Sequence, residues 1–241
     1  MKYSTIRKEY QHHDLRSSVL VDYYATLISP FLTKLSLALG LIPNVVTVCM
    51  IASGIAGAVL FALPFLWAKI LGAVMIHLWY ILDCSDGEVA RITKRFSKFG
   101  TEIDYTAHAV NHPLFLLSFL LTMLGEDTGY SQLALCLMFF GLLALNMVSR
   151  IQIIFDDIYA ARMKPAAGEN TPAPQPHNPV KAFISFFIKI ALQLPNFILI
   201  FPVLYFINVH AAMWFFLGVL AVNLAMVPLR MLGWIRRIVS L

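Results

Sequence analysis

A chain of 241 residues that is 59% hydrophobic and only 13% charged reads as a membrane protein and not as a soluble globule. Its formal charge of +5 raises nucleic acid as a partner, but the basic residues gather at the ends of apolar runs, so no nucleic acid is expected and they read as topology signals and lipid-headgroup contacts. Three cysteines (Cys49, Cys84, Cys136) lie in or beside apolar stretches without paired spacing, which argues against a disulfide framework and a thiolate zinc site.

The first fifteen residues are polar, unlike a cleaved signal peptide. Residues 17–41 mix apolar side chains with Asp22, Pro30 and Lys34, which predicts an amphipathic helix lying in the membrane interface. Six spans are expected after it, at about 45–67, 68–83, 100–124, 131–155, 181–207 and 210–234. In the first of them, Gly54 and Gly57 with Ala52 and Ala56 form a small-residue patch suited to close helix packing. Residues 165–180 are proline-rich and read as a connector. The expected architecture is therefore all-α: one membrane-embedded domain over residues 1–241, with an arm and interfacial helix at 1–41 and a six-helix bundle at 45–234.

Loop charges orient the bundle. Lys2, Arg7, Lys8 and Arg16 lie in the arm, Arg91, Lys94, Arg95 and Lys98 after the second span, Arg162 and Lys164 after the fourth, and Arg236 and Arg237 in the tail. The opposite side offers only Lys69, Glu126 and Asp127. Positive-inside reasoning puts both termini in the cytoplasm.

On that same face the sequence reads Asp83-x2-Asp86-Gly87-x2-Ala90-Arg91-x8-Gly100-x3-Asp104-x3-His108. Carboxylates are costly in a membrane, and their usual reason for being there is substrate, ion or proton. Asp83 and Asp86 share a helix face, as do Asp104 and His108, so three carboxylates converge if the two faces meet. Like charges that close do not all ionise without a cation, and oxygen-rich clusters suit Mg2+ or Mn2+. Gly87 and Gly100 leave room for a ligand, and the Arg91 fork suits a phosphate. A divalent metal and an anion beside lipid point to phosphoryl transfer at the membrane surface.

This run resembles the signature of the CDP-alcohol phosphotransferase (CDP-alcohol phosphatidyltransferase) family, D-x2-D-G-x2-A-R-x8-G-x3-D-x3-D, at every fixed position but the last, where His108 stands for aspartate. Pro43-Asn44-x2-Thr47, the interfacial helix and the six-span bundle are also similar to that family. The resemblance implies transfer of a substituted phosphate from a CDP-linked donor to an alcohol, with release of CMP, in phospholipid or related lipid synthesis. It implies Asp83, Asp86, Asp104 and His108 around one or two divalent ions. Asp83, Gly87, Ala90, Arg91 and Gly100 would face the nucleotide, and His108 would be the base. CDP-diacylglycerol is the favoured donor, a bacterial inner membrane the expected location, and a homodimer fits the family.

His108 leaves three outcomes open: a retained base, one-metal chemistry, or a silent protein that binds a CDP-lipid. A small ion or metabolite transporter is a further alternative, disfavoured by the apolar outer halves of the spans. His112 recurs four residues after His108 and is expected to orient it or to bond a neighbouring helix. Arg150, Asn146, Asn223 and Arg230 are candidates for the acceptor, against helix packing. His77 is expected to be a satisfied buried histidine, and Glu88 and Glu102 to face solvent or headgroups.

Overall fold

The computed structural model describes residues 2–11, 20–162, 187–188 and 190–239. A short helix α1 (Tyr3–Thr5) continues as a π-turn over Ile6–Tyr10. Then come α2 (Leu20–Ala38), α3 (Pro43–Ala62), α4 (Leu66–Thr93), α5 (Gly100–Leu124), α6 (Gln132–Arg162), α7 (Leu194–Ile207) and α8 (Val209–Val239). No strand occurs among the described residues. The proline-rich connector falls outside them.

Five helices are long and apolar enough to cross a membrane: α3, α4 and most of α5, α6 and α8. The remaining expected span is represented by α7, a shorter apolar helix. The chain is an all-α integral membrane protein.

Several ends differ from the sequence reading. Helix α3 opens with Pro43 just inside its start, where a missing N–H costs nothing. It closes at Ala62 because Leu63, preceding Pro64, is held extended (φ −69°, ψ 148°). The first span therefore ends before residue 67. The second does not stop at Asp83: no proline lies between Leu66 and Thr93, and α4 runs through the whole of Asp83–Arg91 as continuous helix. Lys94, left-handed at φ 55°, ends it. Across the expected 181–207 span, the described part is interrupted at Gln193, whose extended backbone precedes Pro195 at the start of α7. Asn196 spans the interruption by donating its Nδ2 to the Ile190 carbonyl (3.1 Å).

Helix α2 is amphipathic with its polar side inward. Thr26, Ser29, Thr33 and Ser36 are buried, while Leu27, Ile28, Phe31 and Leu35 are exposed. The buried polar stripe lies against α4.

Helices α3 and α4 pack along much of their length, with α5 against α3, and α8 against α6 and α7. Small residues make the first contact close. A Cβ built on Gly72 would sit 2.5 Å from the Phe61 backbone nitrogen, and one on Gly57 2.9 Å from the Ile76 nitrogen. In lipid, helix association rests on such packing more than on hydrophobicity. Aromatic rings fill the bundle: Phe119 stacks on Phe201 at 4.5 Å and Phe139 on Phe216 at 4.2 Å.

Candidate active site

Helix α4 supplies Asp83 and Asp86, and the first turns of α5 supply Asp104 and His108. The close approach of α5 to α3 depends on Gly54, where an added Cβ would lie 2.7 Å from the Asn111 side chain. Helix α3, packed against both α4 and α5, holds the two site-bearing helices beside each other. His108 Nε2 then lies 3.4 Å from Asp83 Oδ1 and 3.4 Å from Asp104 Oδ1. One ligand atom from each of the three residues lies within 4.8 Å of the others. His108 is buried and Asp104 is the most open of the three. Trp79 walls the imidazole edge-on at 5.5 Å. His108 Nδ1 is buried without a hydrogen-bond partner among the described residues.

Asp86 stands apart from this trio. Its Oδ2 accepts a hydrogen bond from Thr47 Oγ1 (2.8 Å), from the first turns of α3. Both residues line a cavity of about 290 Å³, together with Asn44, Gly87, Ala90, Arg91, Gly100 and Asp104. That volume is at the small end for a ligand pocket. Asp104 belongs to the trio and also to the cavity wall, so the two features form one site. Gly87 makes room for protein as well as for ligand: a Cβ there would meet Arg91 Nη1 at 3.1 Å, so a side chain would displace the guanidinium. Gly100 is open, its nearest neighbour being Ser97 Cβ at 3.8 Å.

The remaining expected residues divide. His112 is fully buried and turned to α6, where Arg150 Nη2 approaches its Nδ1 at 3.1 Å. Its ring still touches that of His108, 5.1 Å between centroids. Asn146 is buried with Oδ1 unpartnered among the described residues. Asn223 donates to the carbonyls of Ala191 (2.9 Å) and Val219 (2.8 Å), a packing role. Arg230 lines a separate cavity of about 240 Å³ between α6 and α8, with Ser149, Gln152 and Asp156. His77 bonds Tyr24 (2.7 Å), as a satisfied histidine should. Glu102 is exposed.

Glu88 does not face solvent or headgroups. It is 1% exposed and accepts hydrogen bonds from Gln11, Ser29 and Thr33. The reason is the inward polar stripe of α2, which offers hydroxyls where water was expected. Arg95, read from the sequence only as a topology charge, lies on the cavity wall, as do Phe96, Ser97 and Ile103, which the sequence did not single out. The left-handed turn at Lys94 ends the helix immediately before Arg95.

The CDP-alcohol phosphatidyltransferase family model matches residues 40–227, well over half of the chain, and that stretch contains every residue of the trio and of the cavity. The chain belongs to this family. No curated protein matches it significantly. Membership implies a membrane transferase of substituted phosphate groups, acting between a CDP-alcohol donor and an alcohol acceptor. The family is divalent-metal dependent, and the donor set fits such an ion: two carboxylate oxygens and an imidazole nitrogen converge, with no Lys or Arg ion-paired to either carboxylate among the described residues. Asp83, Asp104 and His108 could hold it. A bound divalent cation supplies positive charge against the diphosphate oxygens of a CDP donor.

Proposed function

We propose that this family member moves the phosphatidyl group of CDP-diacylglycerol to a small polar alcohol at the cytoplasmic face of a bacterial inner membrane. The observation that carries the reading is Asp104, shared between the convergent trio and the wall that holds Asp86, Gly87 and Arg91. A nucleotide diphosphate lying in the cavity is thereby brought beside the imidazole. The acceptor oxygen forms a bond to the donor's β-phosphorus as the P–O bond to CMP breaks, and the acceptor proton passes to the His108 imidazole. An imidazole placed beside the reacting oxygen suits that duty.

Nε2 has one lone pair, so it cannot ligate a metal and take a proton in the same step. We therefore assign His108 to the base and Asp83 and Asp104 to Mg2+ or Mn2+, with Asp86 facing the cavity that Asp104 shares. Arg91 has donors for the diphosphate, and Gly87, Ala90 and Gly100 leave space for the nucleotide. The acceptor's polar end is assigned to Arg150, which bonds His112 beside the His108 ring. The loop charges support the cytoplasmic assignment.

The test is CMP release by purified protein in lipid micelles with Mg2+ or Mn2+, CDP-diacylglycerol and pooled alcohols. CDP-choline and CDP-ethanolamine with diacylglycerol serve as the alternative donor–acceptor pairs, and Asp86→Ala as the control. Metal-dependent release from CDP-diacylglycerol, lost in the control, is expected. Release only from the small CDP-alcohols would reverse the donor assignment. Silence from the wild type with recovery in His108→Asp would make the chain a CDP-lipid-binding protein, the reading that the His108 departure favours.

A further inference from the structure

A carboxylate buried within a bundle needs partners, and Glu88, two residues after Asp86, draws them from outside the membrane spans. Gln11 Nε2 donates to Oε1 at 2.8 Å, Ser29 Oγ to Oε1 at 2.5 Å, and Thr33 Oγ1 to Oε2 at 2.6 Å. Ser85 joins through Thr33 at 2.9 Å. Two of the donors to Glu88 belong to α2 and one to the segment formed by residues 2–11.

One turn further along α4, Arg91 is held by the same segment. Its Nε donates to the Tyr10 carbonyl oxygen. That contact uses the inner nitrogen of the guanidinium and leaves the two terminal nitrogens beside Gly87 on the cavity wall. The segment is itself seated. Ile6 is fully buried, Tyr3 donates its hydroxyl to the Leu27 carbonyl (2.8 Å), its ring meets Phe31 at 4.9 Å, and Gln11 also reaches the Thr26 carbonyl (2.8 Å).

We propose that residues 3–11 form a positioning strap, seated through Ile6 and Gln11, that holds Arg91 by its Nε and so presents the terminal guanidinium nitrogens to an anionic nucleoside diphosphate in the cavity. The proposal rests on the nucleotide-pocket part of the transferase reading. A long side chain left to rotate loses much of its worth as a ligand, and a fixed fork retains it. Ile6, Gln11 and Glu88 act through Arg91 and touch no substrate. The strap also ties the pocket to the interfacial helix, whose apolar side faces outward.

The experiment is equilibrium binding of CDP with Mg2+ in micelles, alongside CMP-release kinetics. The wild type is compared with Gln11→Ala, Ile6→Asp and Arg91→Ala, and with each strap variant combined with Arg91→Ala. Gln11→Ala and Ile6→Asp are expected to weaken CDP binding and raise the donor KM about tenfold. The acceptor KM should stay unchanged, and neither strap change should weaken CDP binding further once Arg91 is alanine. Unchanged CDP binding in both strap variants overturns the proposal. So does an equal loss in both backgrounds, which would make the strap a general support of the fold. A wild type that binds CDP but transfers nothing refutes the transferase reading and leaves the strap result intact. A wild type that binds no CDP removes the nucleotide pocket and the strap's role with it.

Discussion

Charged groups stand at both ends of α4, and the two ends are built on opposite terms. Near the start of α4, Lys69 is buried, yet its Nζ donates to the Phe61 carbonyl (3.3 Å) and to Thr122 Oγ1 (3.2 Å). Thr122 bonds the same carbonyl at 2.9 Å, the rings of Phe61 and Tyr205 flank the ammonium, and Tyr205 donates its hydroxyl to Glu126. At the other end Asp83 and Asp104 face one imidazole and carry no ion pair with Lys or Arg among the described residues. The first arrangement satisfies its charge within the protein and reads as a structural lock. The second sets like charges together, which is costly unless a cation joins them. Two carboxylates on one helix repeat the contrast at shorter range: Glu88 is enclosed by donors, whereas Asp86 has Thr47 and opens onto a cavity.

The sharpest way to break this comparison is to neutralise the unsatisfied end. Asp83→Asn and Asp104→Asn should each lower CMP release by about a thousandfold or more. The metal-free protein should change little in thermal midpoint, because relief of the like-charge repulsion offsets the weakened contact with His108. A large fall in the thermal midpoint would class these residues with the lock. Next, His108→Gln should cost about a hundredfold or more in kcat with the donor KM little changed, and His108→Asp should recover part of it.

A packing change gives a smaller effect of another kind. Gly72→Leu, placed against the Phe61 backbone, should destabilise the bundle by about 1–3 kcal/mol, measured by thermal or denaturant unfolding in detergent. The smallest effect on turnover belongs to the satisfied end. Lys69→Met should lower stability by about 1–3 kcal/mol, as loss of one partner from a buried hydrogen-bonded group does, and leave CMP release intact. Loss of transfer in that variant would mean that the two ends are coupled.

Much of this site could be read in the sequence because its information is local. Asp83 to Arg91 lie on one helix and Gly100 to His108 at the start of the next, so fixed spacings translate into shared faces. The span termini were less legible, since an apolar run does not show where Leu63 is forced out of the helix by Pro64. Glu88 was misread because its partners are 55 to 77 residues away, in α2 and residues 2–11. A signal was present: Thr26, Ser29, Thr33 and Ser36 recur three or four residues apart in an otherwise apolar helix, the pattern of a stripe that covers a polar neighbour. The splitting of the acidic set, with Asp86 on the cavity and Asp83 on His108, depends on the crossing of α3, α4 and α5. Spacing within one helix carries no information about that crossing.

The most direct measurement is CMP release from CDP-diacylglycerol, with Mn2+ and with chelator, for the wild type, Asp104→Asn and Lys69→Met side by side. Metal-dependent release by the wild type and Lys69→Met, and none by Asp104→Asn, is the expected result. Equal release by all three, or release that survives the chelator, would contradict it.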